Sequence, residues 1–296
     1  MPIIIPEGFA SAAALRAEGI EVLHAAPRHA STLRVGLLNL MPGKTATEVQ
    51  FGRLLGATHR VVELIPALPH SYRPRHETAA PYAGWGEKSL PQQLDGLIVT
   101  GAPLEHLPYE DVAYWRDIAS ICDWAAENVG GTLYICWAAF AALYRFHRVR
   151  TRFMPSKISG VFQQQVMDAK TPLTAGLGAA FPCPVSRHAE IAAQDVPWGN
   201  GLVCLAQSFD SGLCLIADAA HNAHYMFNHL EYDADTLKHE YLRDRTRRAG
   251  IALPQNYVPG NDLANTPPLV WRRAAETLFA NWLKMISTHV THAAAA

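Results

Sequence analysis

Two separated segments of this chain carry residue types that could perform nucleophilic chemistry. The first is Thr132-Leu133-Tyr134-Ile135-Cys136-Trp137-Ala138-Ala139-Phe140-Ala141-Ala142-Leu143. A short apolar, β-prone run ends at the cysteine, and a run of good helix formers starts immediately after it. A thiol at such a turn points at solvent beside a helix N-terminus, whose partial positive charge favours the thiolate. The competing reading is a buried cysteine in a core strand, and for a lone apolar run that reading would win. The second segment tips the balance. Asn228-His229-Leu230-Glu231-Tyr232-Asp233 follows the apolar run His224-Tyr225-Met226-Phe227 and precedes a helix-like stretch from Ala234 to Arg247. His229 and Glu231 are two apart, so at a strand end they share a face. A histidine oriented by a carboxylate can take a proton from a thiol and pass it on. Cys136, His229 and Glu231 therefore form a candidate nucleophilic triad.

Composition narrows the class. The chain has 296 residues, 49% hydrophobic and 17% charged, with a formal net charge of −1. That is enough length and apolar content for a large core. The near-neutral balance points to neither a nucleic acid nor a membrane surface as partner. The run Arg243-Asp244-Arg245-Thr246-Arg247-Arg248 reads on pattern alone as a solvated helix face. Five cysteines (Cys122, Cys136, Cys183, Cys204, Cys214) form no C-x-x-C pair, which fits a reducing cytoplasm. No apolar stretch approaches the roughly 20 residues of a membrane helix. His221, His224 and His229 lie close in sequence but lack a zinc-type motif, so no metal is expected.

The elements that must position the triad follow from the hydrophobic pattern. Leu33 to Leu40 reads as a strand ending in the loop Met41-Pro42-Gly43-Lys44. Thr45 to Leu55 reads as a helix, with Thr45 as N-cap and Glu48 completing a capping box. Arg60 to Ile65 is a second strand, and Pro69 to Pro91 a long loop of the kind that often serves function. Leu94 to Thr100 is a third strand, closed by Gly101-Ala102-Pro103. Tyr109 to Val129 has helical spacing and stops at Gly130-Gly131. Strands alternating with helices imply a doubly wound, mostly parallel sheet flanked by helices. Ligands of such sheets bind beyond the carboxyl ends of the strands, where Lys44, Gly101, Cys136 and His229 all fall. From Arg152 to Asn200 the signal weakens under five prolines, and an irregular region covering the site is expected. The domain is expected to span 1–290, with 291–296 as a frayed tail. There is no internal repeat.

The motifs resemble the homoserine O-acyltransferases of methionine biosynthesis, the branch built on a class I glutamine-amidotransferase-like fold with a flavodoxin-like core. The resemblance runs from about Met1 to about Ile286. It rests on Leu38-Asn39-Leu40-Met41-Pro42, Asp95 to Pro103, Val112-Ala113-Tyr114-Trp115, Cys136-Trp137-Ala138, Lys157-Ile158-Ser159-Gly160-Val161, Ser186-Arg187, His229 to Asp233 and Asn281-Trp282-Leu283. It implies that Cys136 attacks an acyl-CoA thioester and carries the acyl group, that His229 is the general base, and that Glu231 orients it. It implies that Lys157, Ser186 and Arg243 bind the amino-acid acceptor L-homoserine, that Lys44 belongs to the active site, and that Glu105 selects the acyl donor. It also implies a homodimer with no bound cofactor, acyl-CoA being a co-substrate. A planar guanidinium such as that of Arg243 suits a carboxylate. The backbone N–H of Trp137, at the helix start, could donate to an oxyanion.

Within the family, glutamate at the position of Glu105 goes with acetyl transfer and glycine with succinyl transfer. The expectation is therefore acetyl transfer from acetyl-CoA to L-homoserine by a ping-pong mechanism. Succinyl-CoA as donor, serine as acceptor, or a glutamine-amidotransferase-type hydrolase remain alternatives. So does a binding protein with a redox-sensing Cys136. Three departures from the family pattern stand out: Gly43-Lys44 where two lysines are usual, Phe227-Asn228-His229-Leu230-Glu231 for Thr-Gly-His-Pro-Glu, and Ser186-Arg187-His188 for Ser-Arg-Tyr. No G-x-S-x-G elbow is present, which excludes the α/β-hydrolase homoserine acetyltransferases.

Overall fold

The computed structural model describes residues 2–25, 32–72, 81–91, 93–247 and 250–293, with side chains described as far as residue 288. Its parallel strands are β1 (Ile3–Ile4), β2 (Val22–Leu23), β3 (Thr32–Leu38), β4 (Val61–Pro69), β5 (Ala83–Trp85), β6 (Gly96–Val99), β7 (Thr132–Ile135) and, later in the chain, β12 (Ala223–Met226). The strands between them, β8 (Arg152–Val166), β9 (Ala180–Glu190), β10 (Leu202–Ser208) and β11 (Gly212–Asp218), pair antiparallel. All twelve join one sheet in the order β2-β1-β4-β3-β6-β7-β12-β11-β10-β8-β9, with β5 on the side of β4. The doubly wound half expected from the sequence is thus extended by an antiparallel half.

Helices cover both faces of the parallel half. α1 (Ala10–Ala17), α2 (Lys44–Gly56) and α6 (Arg272–Ala293) pack on one, α3 (Trp115–Asn128) and α4 (Trp137–His147) on the other, while α5 (Thr236–Arg247) follows β12. Alternation along the strands decides the partners. Ile98, Leu133 and Ile135 join the α1–α2–α6 core, whereas Leu97, Val99 and Tyr134 join the α3–α4 core. With both faces covered, these strands read as continuous apolar runs. The sheet approaches α6 closely. A Cβ on Gly96 would lie 2.7 Å from Ile286 Cδ1, an overpacking of the kind that costs about 1–3 kcal/mol.

The structure corrects several expectations. The segment from Arg152 to Asn200 is not irregular. It forms the β8–β9 hairpin, with Ser159 opposite Ser186. Its prolines sit where a strand tolerates them. Pro182 and Pro184 lie on the edge strand β9, and Pro155 lies in the register shift between Phe153 and Ile158. Pro172 opens a 3₁₀ turn at Pro172–Thr174. The capping box does not form. α2 starts at Lys44 with no side-chain cap, because Glu48 is buried and accepts hydrogen bonds from Ser11, Tyr82 and Asn39 instead. The Pro69–Pro91 loop contains β5, and its residues 73–80 lie outside the described part. The Tyr109–Val129 helix is broken at extended Val112, which buries its side chain against α3 and α4. α6 runs through Ala293, and 294–296 lie outside the described residues.

Candidate active site

β7 delivers Cys136 to the carboxyl edge of the sheet. The residue caps α4 with φ 50° and ψ −116°, a conformation L-residues rarely adopt and one that concentrates at functional turns. The tight turn is held by the Cys136 N–H, which donates to the Met226 carbonyl of β12 at 2.8 Å. The expected strand-to-helix placement is therefore observed, although the residue is 5% exposed at the bottom of a cavity rather than on open surface. Gly101, just beyond β6, faces it. A Cβ there would lie 3.2 Å from Cys136 Cβ and 3.8 Å from its Sγ, so any larger residue would crowd the sulfur.

β12 delivers His229. Its Nδ1 lies 2.7 Å from Glu231 Oε1, and its ring stacks on Tyr232 with centroids 4.1 Å apart. These contacts fix the imidazole in plane and in rotation. Its Nε2 faces the Cys136 sulfur and has no other partner among the described residues. Burial opposes charging of the ring, but the Glu231 carboxylate and the Cys136 sulfur outweigh it and raise the His229 pKa well above the usual range. Sulfur, imidazole and carboxylate thus form one contiguous relay.

A cavity of about 360 Å³ opens over the sulfur. Its far wall comes from β8, β9 and α5. Lys157 Nζ lies 2.9 Å from Asp244 Oδ2 and 3.4 Å from Glu240 Oε2, while Ser186 Oγ also donates to Glu240. Tyr232 Oη donates to the other Glu240 oxygen at 2.9 Å. Burial works against ionisation of Glu240, yet Lys157 and these hydrogen bonds hold its carboxyl below the ordinary range. Arg243 lines the same wall through an ion pair with Asp244 at 2.8 Å and remains 45% exposed. The structure brings Cys136, His229, Lys157, Ser186, Arg243 and Glu105 to one cavity, with Glu231 behind His229.

Lys44 is not brought to that cavity. Its Nζ donates to the carbonyls of Asn39 at 2.9 Å and Met41 at 2.7 Å and lies over the Tyr72 ring. It therefore fixes the loop whose Met41 and Pro42 form the cavity rim. Trp137 is the first residue of α4, so its N–H has no acceptor inside the helix. His221 and His224 do not converge on His229. His221 and His147 both bond Asp218 Oδ2, at 2.8 and 2.6 Å. Burial pushes His224 down to about 4 and keeps it neutral.

Sequence reasoning missed Glu240, although Glu240, Arg243 and Asp244 stand at the i, i+3, i+4 spacing that shares a helix face. It also gave no role to Arg187, which is 2% exposed and donates to the carbonyls of Ala189 and Ser211. Burial lowers the pKa of that guanidinium, while the Cys136 sulfur, the first of the groups opposing the effect, favours its charge.

Comparisons with known proteins bear on the fold and the family. Solved structures with the same fold include a glutamine amidotransferase from Methylobacillus flagellatus. It has a TM-score of 0.54 and 14% identity, over 86% of this chain and 95% of that one. A glutamine amidotransferase from Thermotoga maritima has a TM-score of 0.57 and 10% identity, over 86% and 98%. Curated relatives from Brucella canis and Brucella abortus, each named homoserine O-acetyltransferase, are 42% identical over 290 residues, covering 96% of this chain and 94% of theirs. The family model for homoserine O-succinyltransferase matches residues 2–293. The chain belongs to this family of homoserine O-acyltransferases.

Proposed function

We propose that the protein transfers an acetyl group from acetyl-CoA to the hydroxyl of L-homoserine through a thioester on Cys136. The observation that carries the reading is the shared cavity. A nucleophilic relay stands on its floor, an amino-acid-sized set of charges on its wall, and a single carboxylate, Glu105, at its mouth.

The chemistry follows from the groups. The raised pKa of His229 lets its imidazole hold the proton that the Cys136 thiol gives up on attack. The thiolate attacks the thioester carbonyl, and the oxyanion meets the Trp137 N–H at the helix N-terminus. Coenzyme A leaves with the imidazolium proton, and Cys136 keeps the acetyl group. The now neutral His229 takes the proton of the homoserine hydroxyl, whose oxygen attacks the enzyme thioester and releases Cys136. That last step returns the starting protonation, so one imidazole serves both halves of a ping-pong cycle.

Acceptor recognition uses opposite charges. Arg243 offers a planar fork to the carboxylate, and the ionised Glu240 and Asp244 offer acceptors to the ammonium. The test is intact-mass spectrometry after mixing with acetyl-CoA alone, followed by addition of homoserine. One acetyl group should appear on the protein, be absent from Cys136→Ser, and be discharged by homoserine as O-acetylhomoserine. A wild-type enzyme that turns over without ever carrying the group would overturn the covalent step. Hydrolysis of glutamine with no transfer to homoserine would replace the assignment itself.

A further inference from the structure

We propose that a second groove, running from Trp137 along α4 to the start of β8, holds the nucleotide-bearing part of the acyl donor. The proposal rests on the acyl-CoA reading and goes beyond it by locating where the non-reacting portion of that molecule binds. The groove is a cavity of about 390 Å³. It adjoins the catalytic cavity, since Glu105 lines both. A stack also joins them: Phe153 of the groove lies parallel to His188 of the catalytic cavity, with centroids 5.6 Å apart and an 11° interplanar angle.

The lining matches a molecule with an aromatic base and several phosphates. Tyr109 and Tyr144 form a near-parallel pair with centroids 4.9 Å apart, beside Trp115 at 5.5 Å from Tyr109. Phe153 is 57% exposed, a large apolar face left in water at the groove. Such faces are stacking platforms for a base.

The cations come from one short run. Arg145, Arg148, Arg150 and Arg152 fall within eight residues at the end of α4 and the start of β8. Arg145 and Arg152 are committed to Asp123 and Asp195, at 2.6 and 2.5 Å. Among the described residues Arg148 and Arg150 form no such ion pair, and both are exposed, Arg150 lining the groove and Arg148 lying over the Tyr144 ring. Two acids line the same groove, Glu105 and Glu110, and Glu110 accepts from the Tyr144 hydroxyl while Arg148 and Arg150 favour its charge. Two guanidiniums outside any ion pair among the described residues, Arg148 also bonded to the Tyr144 side chain, fit phosphates attached to a base. The acceptor amino acid has neither base nor phosphate, and its charges are met in the other cavity.

The experiment compares two acetyl donors, acetyl-CoA and S-acetyl-N-acetylcysteamine, which has the same thioester but no nucleotide. Both are assayed on wild type, on Arg148→Ala/Arg150→Ala, and on Phe153→Ala. All three positions are exposed, so their replacement leaves the core intact. The arginine double variant should lose about tenfold or more in kcat/KM for acetyl-CoA relative to the short donor, the effect of losing one charge-assisted hydrogen bond or more. In wild type, adenosine 3′,5′-bisphosphate should compete with acetyl-CoA and not with homoserine, and should bind more weakly to the double variant by calorimetry. An unchanged donor ratio together with unchanged nucleotide binding would overturn the groove assignment. A wild type that transfers acetyl from neither donor would instead refute the acetyl-transfer reading, and the calorimetry would still report on the groove.

Discussion

Glu231 Oε1 lies 2.7 Å from His229 Nδ1, while the Nε2 on the other side of the same ring faces Cys136. The carboxylate thus fixes which nitrogen carries the outward lone pair or proton. Because both residues are nearly fully buried, water cannot replace either. His229→Ala should lower kcat by about 10²–10⁴-fold, the usual size of a lost general base. Glu231→Gln keeps the shape and should cost less, with the folded state preserved by circular dichroism. Stopped-flow acylation and steady-state turnover both report this loss, and near-normal turnover in His229→Ala would remove the residue from the mechanism.

Arg243 offers a separable effect. It lies on α5, away from the sulfur, and its guanidinium is partly exposed at the cavity wall. Arg243→Ala should raise KM for homoserine about tenfold or more while the burst of Cys136 acylation persists. Loss of the burst would move Arg243 to the donor side. Glu240→Gln should also weaken the acceptor, but it leaves Lys157 and Ser186 without their shared anion. A larger fall in both half-reactions is therefore expected there.

Lys44 gives a pH signature. Burial pushes its ammonium down to about 8 from an ordinary 10.5. Between those values the unfolded chain binds more protons at this position than the folded one, so stability rises with pH across that window. Below about 8 the penalty of burying the charge is fully present and the contribution is flat. Lys44→Met should flatten the rise between pH 8 and 10.5 in urea-denaturation midpoints, relative to wild type. Superimposable pH profiles for the two proteins would contradict the shift. The same variant frees the Asn39 and Met41 carbonyls, so a looser rim and a lower kcat/KM should accompany it.

The central parallel strands β3, β4, β6, β7 and β12 were legible because they are largely buried on both faces, whereas the short outer strands β1, β2 and β5 were not. Cys136 and His229 followed from where those patterns end. The β8–β9 hairpin was not legible, because its prolines argue against a strand unless the strand is known to be an edge. Position in a sheet is a tertiary fact. The Glu48 capping box failed for a related reason: a local hydrogen bond lost to three partners distant in sequence, Ser11, Tyr82 and Asn39. Glu240 was missed because a glutamate on a polar helix reads as solvated. Only the hairpin that brings Lys157 and Ser186 against it turns it into a largely enclosed anion.

Donor choice is the sharpest test at the mouth of the cavity. Glu105 is half-buried and lines both the catalytic cavity and the neighbouring groove. An acyl group held at Cys136 would share that cavity with it. Acetyl ends in a methyl, whereas succinyl ends in a second carboxylate. Two such charges 4 Å apart repel by about 4 kcal/mol at an effective dielectric of 20. Partial exposure of Glu105 screens this, and even about 1.4 kcal/mol is a tenfold preference. Wild type should therefore favour acetyl-CoA by about tenfold to a hundredfold in kcat/KM. Glu105→Gly removes the charge and opens space, and should shift the preference toward succinyl-CoA. Glu105→Gln separates the two effects, because it removes charge at nearly constant volume. If Gln and Gly variants gain succinyl transfer equally, charge decides; if only Gly gains it, space does. Equal or greater wild-type activity with succinyl-CoA would overturn the acetyl assignment and leave the Cys136 relay untouched.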